Sequence, residues 1–426
     1  MTEELDRRGF ARLLTFGTAG ALVAPRTAAA LRAPALQDPP AVLNERFWES
    51  VRAQFLMPPG FAAMNAANLC PSPQGVLDAL FESTRAVERD PSSQNRQHTR
   101  DGREAARRRI AGVLRVTPEE IVITRNTSEA NNFVSSGLDL KAGDEVVIFS
   151  DNHPSNHAAW REKAKRFGYS VRAIEQVNPH PGAEYYIEAF TRALTPATKV
   201  VAFTHVTASV GDLMPAREIC RAARERGILT LVDGAQSFGV LDVDLSDIQP
   251  DFYTGSAHKW PCGPKETGVL YVNPRSHARI SPSVVSLYPG SVGISRTLEA
   301  FGQRDEAAII GFGEALAFQS KIGRKAIEDR ARALTAMLIE GLRKIDGVKV
   351  WTHAAPARSA AVVSFRPGTL DVRTLHDALY QKDRIVCATR GGTDRPGLRF
   401  SPHFYNSHAE VDRVLAAVRK YVRGGL

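Results

Sequence analysis

Ser256-Ala257-His258-Lys259-Trp260 follows a short apolar run, 252–256 (FYTGS), and pairs in meaning with Val232-Asp233-Gly234-Ala235-Gln236, which ends another. A lysine set directly after a predicted buried strand is unusual, because lysine is almost never fully buried without a partner. An amine in that place has a covalent use, and an acid at the end of a neighbouring strand has a matching one. Both read as groups at the carboxyl edge of one sheet, where ligands of open α/β folds bind.

Working outward, similar runs recur at 120–125 (EIVITR), 145–150 (EVVIFS), 170–174 (SVRAI), 199–205 (KVVAFTH), 228–233 (ILTLVD) and 268–273 (GVLYVN). They are rich in Val and Ile and mostly apolar on both faces, as buried strands of a mostly parallel sheet are. Helical patterns such as 216–226 (AREICRAARER) lie between them. The expectation is an α/β fold with a mostly parallel seven-stranded sheet in a large domain, 61–304. After residue 305 a long helical stretch breaks near Gly323, and short strands at 348–351, 360–365 and 384–389 precede a last helix, 408–423. That part, 305–426, reads as a smaller α+β C-terminal domain. Residues 31–60 are rich in Pro and Ala and read as a linker and arm.

The 426 residues, 43% hydrophobic, suffice for such a core. The formal net charge of +9 is spread out, apart from 103–109 (REAARRR) on a predicted helix. That run reads as a solvated face, and no nucleic-acid partner is expected. Cys70, Cys220, Cys262 and Cys387 form no CxxC pair and no zinc spacing, so no metal site is expected.

The N-terminus reads as an address. Asp6-Arg7-Arg8-Gly9-Phe10 precedes a short apolar run, 15–24 (TFGTAGALVA), and then Arg26-Thr27-Ala28-Ala29-Ala30. This is the pattern of a twin-arginine signal over 1–30, passed to the twin-arginine translocase. The run is too short to span a bilayer. The expectation is a periplasmic or secreted protein, exported folded with its cofactor enclosed and without stable membrane insertion.

Four groups fall at predicted strand ends. Thr127 and Ser128 open a helix after the first strand, where backbone N–H groups and hydroxyls suit a phosphate; alone, such a start is a plain N-cap. His153 and Asn156 follow the second strand. A lone loop histidine is usually structural, but here it could stack on a flat heteroaromatic ring. Asp233 and Gln236 follow the fifth; Asp before Gly is often a turn former. Ser256, His258 and Lys259 follow the sixth. Together they describe a site for pyridoxal 5′-phosphate (PLP): Lys259 for the Schiff base, Asp233 for the pyridinium nitrogen, Gln236 for the phenolic oxygen.

The motifs ITRNTSEANN, DNHPSNHAAW, FTHVTASVGDLMP, VDGAQSFG, FYTGSAHKWPCGPKETGVLYV and LRFSPHFYNSHAEVDRVL carry a resemblance over about 45–425. The chain resembles class V aminotransferase-fold PLP enzymes, the group of cysteine desulfurases and isopenicillin-N-epimerase-like proteins, with the type I PLP-transferase fold. The resemblance implies catalytic roles for Lys259, Asp233 and His153, and places Thr127, Ser128, Ser256 and His258 at the phosphate. It implies that Arg399 grips a substrate carboxylate, with Asn156 beside it. It also implies a homodimer in which Ser291 reaches the neighbour's phosphate. Gly302-Gln303-Arg304-Asp305 is similar to an element of the epimerase-like branch, with Gln in place of Thr.

Desulfurases of the group carry a nucleophilic cysteine on a loop before the carboxylate arginine. Here 389–396 reads TRGGTDRP and has none, so cysteine desulfurase activity is not expected. The expected reaction acts on the amino group or Cα of an amino acid or peptide-like metabolite through an external aldimine, with no keto acid needed. Transamination, epimerisation, C–S or β-elimination, and decarboxylation all stay open, as does a non-catalytic PLP-binding protein. An export signal on this fold also resembles periplasmic PLP enzymes that tailor pyoverdine siderophores.

Overall fold

The computed structural model describes residues 36–391 and 394–425. The segment expected to be an export signal lies outside them, as do Gly392 and Thr393.

Seven strands form the main sheet: β1 (Ile121–Thr124), β2 (Glu145–Phe149), β3 (Ser170–Ile174), β4 (Thr198–Thr204), β5 (Leu229–Asp233), β6 (Phe252–Ser256) and β7 (Gly268–Val272). Their order is β1-β7-β6-β5-β4-β2-β3. Only β7 runs against the others, pairing antiparallel with both β1 and β6. The sheet is therefore mixed, with six strands pointing one way and their carboxyl ends on one edge. β1, β5, β6 and β7 are buried throughout, while the edge strand β3 is half-exposed. Each fully buried Val, Leu or Ile stabilises the sheet by about 1.5–3 kcal/mol. That makes the strands a rigid base for the side chains at their ends.

A second, antiparallel sheet comprises β8 (Val348–Val350), β9 (Val363–Pro367), β10 (Ala388–Arg390) and β11 (Gly397–Phe400), in the order β10-β11-β9-β8. The strand expected at 384–389 is two pieces. Ile385–Val386 pairs with Ala62–Ala63, and β10 pairs with β11. Cys387 lies buried between them. The long helical stretch is two helices, Glu306–Ile322 and Arg324–Arg343. Gly323 joins them at φ +103°, a conformation L-residues with a Cβ rarely adopt.

Two expectations are corrected by packing. The arm at 31–60 contains a helix, Glu45–Arg52, capped by Asn44 and burying Phe47, Trp48 and Val51. The basic run at 103–109 is not simply a solvated face. Arg107 is fully buried and pairs with Glu299.

Candidate active site

The site is built where β1, β2, β5 and β6 end. Helix α1 (Thr127–Gly137) starts just after β1, capped by Asn126, whose side chain accepts from Glu129 N–H. Thr127 is drawn onto the end of β6: its N–H donates to Ser256 Oγ at 2.9 Å, and the two hydroxyls lie 2.8 Å apart. Gly268 permits this approach. A Cβ there would sit 2.6 Å from Gly255 O and 2.9 Å from Asn126 Cα.

Helix α2 (Pro154–Phe167) follows β2, with His153 as its N-cap. Asn152 fastens this turn to β4, donating to Ala202 O and accepting from Thr204 N–H. His153 Nδ1 accepts from Ser155 N–H at 3.2 Å and lies 2.7 Å from Ser155 Oγ, leaving the ring proton on Nε2. Ser128 Oγ is 3.2 Å from Ser155 Oγ, which links the two helix starts. The imidazole opens to the cleft. Burial by the walls, then the Lys259 charge, hold its pKa below the usual histidine range.

Asp233 is buried and fully held. Asn131 Nδ2 donates to Oδ2 at 2.9 Å, Asn156 Nδ2 reaches the same oxygen at 3.4 Å, and Ala235 N–H donates to Oδ1 at 3.1 Å. Three donors fix the position of the carboxylate. Asn156 was expected at the substrate; here it also braces this acid. Asn131 was not foreseen. Its place one turn into α1, between Asp233 and Thr254 Oγ1, comes from packing between distant segments.

Lys259 leaves β6 on a tight loop. Gly263 N–H bonds to Ala257 O, Cys262 N–H bonds to Lys259 O, and Cys70 N–H bonds to His258 O. Lys259 Nζ makes no hydrogen bond or ion pair among the described residues. Burial pushes its amine down to about 8; Asp233 opposes that shift and Arg399 adds to it. His258 is pushed lower, to about 4, by burial and then by Lys259 and Lys265. Gln236 is buried and largely committed. Its Oε1 accepts from Trp260 Nε1 at 2.8 Å and its Nε2 donates to Ala67 O at 3.0 Å, leaving one N–H for a ligand.

Arg399 reaches the same cleft from β11. It is 6% exposed, yet it has no carboxylate partner among the described residues. Nη1 donates to Ala208 O at 2.8 Å, Nη2 donates to Asn65 Oδ1 at 3.1 Å, and Nε is buried with no partner. Burial and then the nearby Arg390 charge push its pKa down to about 10. The alternative of a structural ion pair is not what is found.

Ser291 is not brought to this group. Its Oγ donates to Glu104 at 3.0 Å and accepts from Arg103 at 3.4 Å. Within one chain it is a surface contact apart from Thr127 and Ser256.

This donor set fits PLP: an amine for the aldehyde, a fixed carboxylate for the pyridinium, and hydroxyls with helix N–H groups for the phosphate. The chain belongs to the family described as aminotransferase class-V, whose pattern matches residues 66–414. Among curated relatives it is 32% identical over 392 residues to the isopenicillin N epimerase of Amycolatopsis lactamdurans, covering 88% of this chain and 98% of that one. It is also 32% identical over 341 residues to a probable cysteine desulfurase of Xylella fastidiosa, covering 74% and 79%. Among solved structures it is similar to the cystine C–S lyase C-DES in complex with its product cysteine persulfide. That match has TM-score 0.78 and 25% identity, over 84% of this chain and 97% of that one. The chain is thus a PLP-dependent enzyme of the class V aminotransferase fold.

The expectation against desulfurase activity is corrected by these comparisons. Identity to a probable desulfurase extends over three-quarters of the chain, and one loop position does not outweigh it. The physical reason is that bond breaking at Cα depends on the shared cofactor scaffold. Desulfurase chemistry belongs among the reactions open to this chain.

Proposed function

We propose that this chain labilises the Cα–H bond of an amino-acid substrate, with epimerisation at Cα as its reaction. The observation that carries the reading is Arg399: a buried guanidinium held by neutral groups, with three of its five N–H donors unspent, Nε among them, beside Lys259. An α-carboxylate completes it in the bidentate way arginine favours. The long identity to an epimerase supports the outcome. C–S cleavage by β-elimination is the second reading, supported by the likeness to C-DES.

When bound, PLP supplies the electron sink for the Cα bond. The chain's own groups do the rest. Lys259 would hold the cofactor covalently and, once displaced by the substrate amine, its Nζ, with a pKa of about 8, would take the Cα proton close to neutral pH; inversion requires a proton delivered on the opposite face. Asp233, fixed by three donors, would face the ring nitrogen. His153 would stack on the ring, and Thr127, Ser128, Ser256 and His258 would hold the phosphate. Gln236 would give its remaining N–H to the ring oxygen, and Asn156 braces Asp233.

The test is PLP-loaded protein in deuterium oxide with single L-amino acids, with and without 2-oxoglutarate. Expected are Cα deuterium and the D-isomer without the keto acid. Turnover strictly dependent on the keto acid overturns the reading; sulfide or persulfide release from cystine, without inversion, assigns the second one.

We also propose twin-arginine export, supported by Arg7-Arg8 and the small-residue run at Ala28–Ala30. An Arg7→Lys/Arg8→Lys variant retained inside the cell is the expected result. A homodimer is proposed on the exposed apolar residues Val285, Leu287 and Tyr288 beside Ser291; sedimentation measures it. Among the described residues no helix is long and apolar enough to cross a membrane.

A further inference from the structure

A pocket of about 610 Å³ opens beside the cofactor end of the site. His153 and Ala208 line it, and the Ala208 carbonyl is the one that holds Arg399. The pocket therefore shares Ala208 with the hold on Arg399 and lies next to it. Its outer wall is one face of α2. Pro154, His157 and Arg161 stand three and four residues apart and share a stripe, opposite Arg390 at the end of β10.

The charge in this pocket is unbalanced. Arg161 and Arg390 form no ion pair within 4 Å among the described residues. The one acid in the lining, Asp151, is already engaged: Ser209 donates its hydroxyl to one oxygen, and Arg395 faces the other at 3.8 Å. His157 spends Nε2 on the Ser150 carbonyl. Two guanidiniums thus face a space much larger than a cysteine side chain requires, in the size range of pockets for extended ligands.

We propose that this pocket holds the distal part of the substrate, and that this part ends in a carboxylate bound by Arg161 and Arg390. The substrate is then an extended, peptide-like amino acid with two carboxylates: one near Cα on Arg399, the other far from it. The proposal rests on the reading of Arg399 and Lys259 given above. It makes Arg161 and Arg390 specificity-determining residues and leaves the bond-breaking groups unchanged.

Calorimetry on the PLP-loaded protein tests this with γ-L-glutamylglycine and γ-L-glutamylglycinamide, which have the same length and differ by one charge. A charge-assisted contact predicts that the acid binds about tenfold tighter than the amide. Arg161→Gln and Arg390→Gln are each expected to bring the two Kd values to within about threefold, with amide binding unchanged. The unchanged amide shows that the variants are folded. Equal binding of acid and amide by the unaltered protein overturns the proposal, as does a preference that both variants keep. Failure of both dipeptides to bind while simple amino acids exchange their Cα proton overturns it and leaves the function reading standing. No response to any amino acid overturns both.

Discussion

Two buried arginines in this chain have opposite surroundings. Arg107 lies under the main sheet, fully buried. Its Nη2 lies 2.9 Å from Glu299, its Nη1 reaches the same carboxylate, and its Nε lies 2.9 Å from Glu104. Burial alone would lower its pKa, but the two carboxylates reverse that and hold it raised. Arg399, nearly as buried, sits among a carbonyl, an amide oxygen and nothing, and its pKa is lowered. A structural cation brings its counter-ion with the fold. A cation that keeps a donor unspent in a cleft is arranged for an anion from outside.

The widest separation between the two comes from removing each charge. Arg107→Leu takes the closest cation from the buried Glu299 and leaves it Arg304 at 3.4 Å, with an expected loss of about 3 kcal/mol in stability, read by denaturant unfolding. Arg399→Leu leaves no orphaned acid, so stability stays level or rises. Its kcat/KM for amino acids falls about 100-fold, while binding of the matching amines without a carboxylate is unaffected. Equal stability losses in the two variants would break the comparison.

Asn65→Ala sharpens it on a smaller scale. Losing one charge-assisted hydrogen bond from Arg399 costs about 1.5 kcal/mol, seen as a roughly tenfold rise in KM with kcat kept. Lys259 stands between the two arginines, with a carboxylate near but not paired. Its neutral fraction grows as pH rises through about 8, so covalent capture of PLP, trapped with borohydride, accelerates over that range. Asp233 favours the charged amine. Asp233→Asn therefore moves the midpoint to lower pH, and a midpoint that stays or rises contradicts the geometry.

Much of this site could be read along the chain. Thr127, His153, Asp233, Ser256 and Lys259 each come within a few residues of a strand end, and buried strands show as runs of Val and Ile. What misled was local reasoning about non-local partners. Arg107 looked like one cation of a solvated helix, but its acid lies 192 residues away. The loop without a cysteine looked decisive for the reaction, although the comparisons span the whole scaffold. Ser291 is expected at a neighbouring subunit's phosphate; within one chain its hydroxyl donates to Glu104.

By itself the sequence determined the sheet, the edge on which chemistry collects, and the cofactor. Strand periodicity is local, and a residue placed just after a strand is carried to that strand's end. Only the tertiary structure decided which charges are satisfied. Arg399 meets Asn65 across 334 positions and Ala208 across 191, and Asn131 meets Asp233 across 102. Hydrogen-bond partners and counter-ions are set by how distant segments pack, and that packing leaves Lys259 and Arg399 with capacity to spare.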